Sequence, residues 1–189
     1  MIRKILIAAS ALAASTAMAE MVTYTIDPAH TYPSFEADHM GGMSLWRGKF
    51  NTTSGTVKLD RAAKAGEVDV TVQMGSVNFG HERMAEHAKS ADMFDVAKFP
   101  IATYKGNFSK WNGDVPTEVT GELTMHGVTK PVKLTINSFM CKANPMTKKE
   151  SCGADAVTTI NRADFGVSFG APAFKMDTKI LISIEAGRT

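Results

Sequence analysis

A surplus of charge of either sign is missing from most of this chain. Its 189 residues carry 21 Lys and Arg against 19 Asp and Glu, and Arg3 and Lys4 sit at the extreme N-terminus. Without those two the chain is formally neutral, so no basic field is left to draw nucleic acid or acidic lipid from a distance. Lys148 and Lys149 are balanced locally by Glu150 and read as a solvated loop. Long apolar runs are equally scarce. Beyond the N-terminus none approaches the roughly 20 residues of a membrane span. Catalytic signatures are missing too: no G-x-S-x-G elbow, no glycine-rich phosphate loop before a helix, no C-x-x-C. His81-Glu82 is followed by Arg83-Met84-Ala85, which is not a zinc-protease H-E-x-x-H. Ser90, His87 and Asp92 are neighbours in sequence, but a triad is defined by geometry and sequence proximity does not supply it. These gaps point away from an enzyme.

What is present begins with an address. Arg3 and Lys4, then the uncharged stretch Ile5–Ala14, then Ala17-Met18-Ala19, follow the order of a cleaved secretory signal. Glu20, not cysteine, follows, so nothing suggests a lipidated N-terminus. The expected organisation is a signal peptide over 1–19 and one domain over 20–189, with no repeat, linker or low-complexity tract. The expected location is an oxidising compartment outside the cytoplasm.

Only two cysteines occur, Cys141 and Cys152. In an oxidising compartment a lone pair this close is most simply a disulfide. The intervening KANPMTKKES is polar and is expected to be a loop between strands. Closing it contributes about 3 kcal/mol in the chain-entropy picture.

From Val22 onward the apolar period is two. Val22, Tyr24 and Ile26 form one such face; Phe35, Ala37 and His39 another; Val68, Val70 and Val72 the cleanest. Val57 with Leu59, Ala102 with Tyr104, Val119 through Met125, Val132 through Ile136, and Ile180 through Ile184 continue the pattern. One wet and one apolar face per strand is the mark of antiparallel sheets. Turn residues at Gly41-Gly42, Asn112-Gly113 and Gly127 separate the runs, so eight or more short strands predict an all-β barrel or sandwich. One segment departs from this rhythm. GHERMAEHAKS (80–90) is rich in helix formers and places Met84 and Ala88 on one face, which predicts a short helix.

Five segments together resemble the YceI-like family. They are HTYPSFEADH (30–39), GKFNTTSG (48–55), the helix with SADMFDVAKFP (90–100), GELTMHGVTKPV (121–132) and RADFG (162–166). The resemblance covers the whole chain after residue 20, in order. It implies a closed antiparallel up-and-down, lipocalin-like β-barrel of about eight strands with one short α-helix. It also implies a periplasmic binding or carrier role for an isoprenoid, a quinone or another long-chain lipid, with no cofactor. Three features depart from the pattern: Ala88 after the helix histidine, Met93 where a Phe is common, and the Cys141–Cys152 loop.

A carrier needs a tunnel in place of a solid core. Small residues at Ala37, Ala102 and Gly121 are expected to leave that space, and Phe35, Phe50, Phe94 and Phe99 to line it. Burying ten carbons at ~0.8 kcal/mol each gives roughly 8 kcal/mol before association costs. Arg83 and His87 share a helix face at i,i+4; with His39 they are the expected contacts for a polar or quinone-like head. Arg162 and Asp164 read as a salt-bridged barrel corner, and Lys130 as a turn lysine.

A second reading is a periplasmic metal- or haem-handling protein on the same barrel, motivated by His30, His39, His81, His87 and His126 with Met40 and Met43. The spacings do not form a set: His81 and His87 lie on different sides of a helix, and HMGGM is short. A weaker third reading is an enzyme acting on an isoprenoid. Stable membrane insertion is not expected. A homodimer through an edge strand or the apolar C-terminal run is left open.

Overall fold

The computed structural model describes residues 21–189, so the expected export signal over 1–19 and the expected cut after Ala19 lie outside the described residues. Eleven strands and one α-helix follow in order: β1 (Val22–Ile26), β2 (Tyr32–His39), β3 (Ser44–Phe50), β4 (Thr53–Asp60), β5 (Ala65–Gln73), β6 (Val77–Asn78), α1 (Glu82–Lys89), β7 (Ile101–Asn112), β8 (Val115–Met125), β9 (Val128–Ala143), β10 (Glu150–Asn161) and β11 (Asp177–Arg188). All pairings are antiparallel, and β1 returns to β11, which closes the sheet.

Eleven strands make eight staves because the first six are halves of three bent ones. β11 pairs with β2 along its first half and with β1 along its second. β3 pairs with β2 and β6, whereas β4 pairs with β1 and β5. Each bend has a local cause. Between β1 and β2, Pro28 cannot donate to a ladder, and the Asp27 carboxylate accepts the Ala29 N–H at 2.8 Å in an Asx turn. Between β5 and β6, residues Met74–Ser76 form one turn of 3-10 helix. The family resemblance and the alternation therefore led to the observed architecture, a closed eight-stave antiparallel barrel with one helix.

Where a stave carries an extra residue, a bulge keeps the apolar residues inside. In β9 Val132, Leu134 and Ile136 alternate inward, then the register shifts opposite Asp155/Ala156. Phe139 and Cys141 thereby face the interior too, although strict alternation from Ile136 would point them out. β7 does the same between Phe108 and Trp111. The β8–β9 connection is a two-residue turn, His126-Gly127, and both have positive φ (53° and 76°), as a type I′ hairpin requires. Gly121 has a different task from the one expected. A Cβ there would run into the Lys105 carbonyl, so glycine lets β8 pack tightly on β7 and does not widen the interior.

The cysteines are a directly opposed pair on β9 and β10, joined with Cα atoms 4.0 Å apart. The strands run on past them, which shortens the expected ten-residue loop to positions 144–149. β10 does not show in the alternation, because the inward positions of SCGADAVTT before Ile160 carry only Cys152, Ala154, Ala156 and Thr158.

The barrel has two different ends. The helix end gathers α1, the β2–β3 hairpin, the His126-Gly127 turn and the loop from Arg162 to Met176. Phe165, in a 3-10 turn over Arg162–Phe165, is 2% exposed and packs with Val132 and Ile160. Arg162 is buried and donates to the carbonyls of Val167 (2.7 Å) and Phe169 (2.8 Å), pinning this loop. Asp164 is exposed, so Arg162 serves backbone carbonyls and not the expected salt bridge. The disulfide end holds the β4–β5, β7–β8 and β9–β10 hairpins with the C-terminus, over a cluster of Tyr24, Leu59 and Ala186.

Candidate ligand-binding cavity

The inward faces do not fill the barrel. They leave a cavity of about 200 Å³ between them. The wall is the sum of the alternating faces: Val68, Val70 and Val72 of β5, Leu134 and Ile136 of β9, and Ile180, Ile182 and Ile184 of β11 all line it. Space exists because several staves carry small residues where a core would carry large ones. Ala102, Gly153, Ala154 and Ala156 are among the lining residues. Polar atoms in the wall come from Thr31, Thr53, Thr158, Tyr24 and Tyr104, and none of its lining residues carries a charge. The Thr31 hydroxyl bonds to the backbone of Glu185, and the buried Thr53 hydroxyl has no partner among the described residues. An uncharged, apolar space selects an apolar chain, because any charged guest would leave water without a counter-charge.

The residues singled out from the sequence fall in three places. Phe50 lines the cavity. Phe35 and Phe94 stand beside it in an aromatic cluster with Phe79, at centroid distances of 5.6–6.4 Å. Edge-on and tilted packing of this kind contributes about 0.5–1.5 kcal/mol per pair beyond burial. The cluster closes the helix end, with Phe50 as its inner surface. Phe99 is elsewhere, against His126 (4.4 Å) and under Lys98 (5.1 Å). His39 stacks on Trp46 at 4.3 Å and meets Phe174 edge-on at 5.2 Å, outside the lining. Arg83 and His87 are exposed on α1, and the His87 ring abuts Phe169 at 4.9 Å. The helix thus brings Arg83 and His87 together, but not to the cavity. The five histidines are not gathered into one site either. The converging donor group among the described residues is Cys141, Glu150 and Cys152, and its two sulfurs are bonded to each other.

Two wall residues are tyrosines with raised pKa values. Burial first, then the hydrogen bond and negative charge of Glu150, push Tyr24 up to about 12. Burial alone pushes Tyr104 up to about 12, while its hydroxyl donates to the Val132 carbonyl at 2.9 Å. A group whose folded value exceeds its unfolded value stabilises fully below the unfolded value of 10.0. That contribution is lost as pH climbs from there through about 12. The expected outcome is alkaline destabilisation over this window, with the phenolate absorbance of the folded protein retaining a component near 12. Replacing Tyr24 and Tyr104 by Phe should remove that component; its persistence in the double variant would show that the assignment is wrong.

The YceI-like domain matches residues 24–186 of this chain. A UPF0312 protein of Pseudomonas putida is 34% identical over 177 residues, spanning 92% of this chain and 90% of the relative. Among solved structures, Burkholderia cenocepacia BcnA superposes with a TM-score of 0.68 at 24% identity, over 85% of this chain and 99% of that one. A polyisoprenoid binding domain from Saccharophagus degradans superposes with a TM-score of 0.64 at 14% identity, over 89% and 99%. The barrel, its topology and the sequence match agree, and the chain belongs to the YceI-like family.

Proposed function

We infer that this protein binds and carries a long-chain lipid of the isoprenoid or quinone type, with the chain lying in the barrel. The observation that carries the reading is the uncharged apolar cavity itself, with aromatic rings packed at its helix end. Ten buried carbons already supply a gross ~8 kcal/mol, the scale of micromolar affinity, so a longer chain leaves room for association costs. The polyisoprenoid binding domain named above shares this fold and supports the same class of ligand here. The N-terminal signal and the disulfide favour the periplasm as the place of work.

The test is detergent-free purification from the native periplasm, organic extraction and mass spectrometry. One polyprenyl or quinone species near one per chain is the expected result. Folded protein that yields no lipid, and that fails to take up an added polyprenol, would overturn the reading.

A further inference from the structure

The disulfide end carries a second feature that the cavity alone does not explain. An external recess lies against it, lined by Asp60, Arg61, Asp114, Glu150 and Arg188 together with Tyr24 and Leu59. Tyr24 and Leu59 also line the apolar cavity, so these two side chains are the partition between the apolar interior and a charged vestibule. The polar groups are connected. The Tyr24 hydroxyl donates to one Glu150 oxygen at 2.5 Å, and Arg61 Nη2 donates to the other at 3.2 Å. Arg188 is the cross-strand partner of Tyr24, and it is in no ion pair among the described residues. Nothing comparable faces the cavity at the helix end, where Phe35, Phe50, Phe79 and Phe94 pack together.

We propose that this recess is the mouth of the cavity and the seat of the ligand's head group, and that it takes an uncharged, oxygen-bearing head. The proposal rests on the reading that an apolar chain occupies the barrel. Its chemical preference follows from which groups remain unfilled. Three carboxylates stand against two guanidiniums, so a carboxylate or phosphate head adds negative charge where negative charge is already in excess. Two of the three carboxylates are engaged, and the third, Asp114, is exposed with no hydrogen-bond or ion-pair partner among the described residues. Asp60 accepts the Ala63 N–H at 2.8 Å, and both Glu150 oxygens are bonded. The unfilled groups are the donors of Arg188 and Arg61 and the acceptor oxygens of Asp114, a mix that an uncharged hydroxyl matches by both accepting and donating. An ammonium head finds those cations in its way. A hydroxyl or carbonyl accepts from them without bringing a charge of its own.

Three probes that differ only in the head decide the matter: farnesol, farnesyl phosphate and farnesylamine, with the hydrocarbon farnesene as a headless control. Farnesol is expected to bind about tenfold more tightly than either charged probe, the scale of one good hydrogen bond kept against one charge misplaced. Arg188→Gln, on an exposed C-terminal position, should weaken farnesol roughly fivefold and leave farnesene unchanged. Arg83→Ala with His87→Ala should leave both unchanged. Tighter binding of the phosphate or the amine overturns the preference for an uncharged head. Farnesol binding that is insensitive to Arg188→Gln but weakened by the α1 pair overturns the location. Equal weakening of farnesol and farnesene shows that Arg188 is only structural and likewise overturns the proposal. Failure of all four probes to bind condemns the lipid-binding reading itself, a result distinct from the others.

Discussion

Ala154→Trp is expected to abolish uptake of a long-chain lipid while leaving the barrel folded. Ala154 lines the cavity on β10, opposite Phe139 on one neighbour and Ile184 on the other. An indole there projects into open space and not into a packed core, so the overpacking cost of 1–3 kcal/mol that large side chains usually incur should be largely avoided. The space it takes is space a chain can no longer use. Losing room for even four methylenes at ~0.8 kcal/mol each is worth roughly 100-fold in affinity. The measurement is polyprenol uptake by wild type and variant, alongside thermal unfolding of both. A folded variant that binds as well as wild type would show that the ligand does not lie in the barrel.

Phe165→Ala is expected to produce the largest loss of stability. Phe165 is 2% exposed and stoppers the helix end against Val132 and Ile160, with Leu123 and Met125 around them. Its removal leaves a void that the surrounding staves cannot close, because they are held by continuous ladders; such truncations cost about 3–5 kcal/mol. For a domain of this size that is a fall in Tm of roughly 10–15 °C. Phe169→Ala is the control. Phe169 lies four residues on in the same loop but is 44% exposed, and its removal should cost under about 1 kcal/mol. Denaturant or thermal unfolding of the two variants separates them. Similar losses in both would mean that the loop as a whole, and not the Phe165 side chain, seals the barrel.

Much of the wall of the site was legible before any coordinates. Val68, Val70 and Val72, or Ile180, Ile182 and Ile184, advertise an apolar face by their spacing, and each of these faces does line the cavity. Two kinds of residue escaped. Ala154, Ala156 and Thr158 are too small or too polar to announce a strand, yet they make the space. Phe139 reaches the interior through a bulge in β9 that alternation alone does not foresee. The aromatic residues showed the reverse problem. Phe35, Phe94 and Phe99 are the right type to line a tunnel, but two of them stack into a plug and the third packs on His126.

The sequence by itself determined the period-two faces, the turns, the single helix and the cysteine pair, because each depends on residues a few positions apart. A strand's two faces, a type I′ turn and a helix stripe are local consequences of backbone geometry. Only the tertiary structure decided which side chains meet at each end of the barrel. Tyr24 meets Glu150 across 126 positions of chain, and Arg61 meets the same carboxylate across 89. Those meetings follow from the closure of β1 on β11 and from the register of the β10–β11 ladder. A one-residue slip in either would turn every side chain to the opposite face, and closure joins strands at the two ends of the chain.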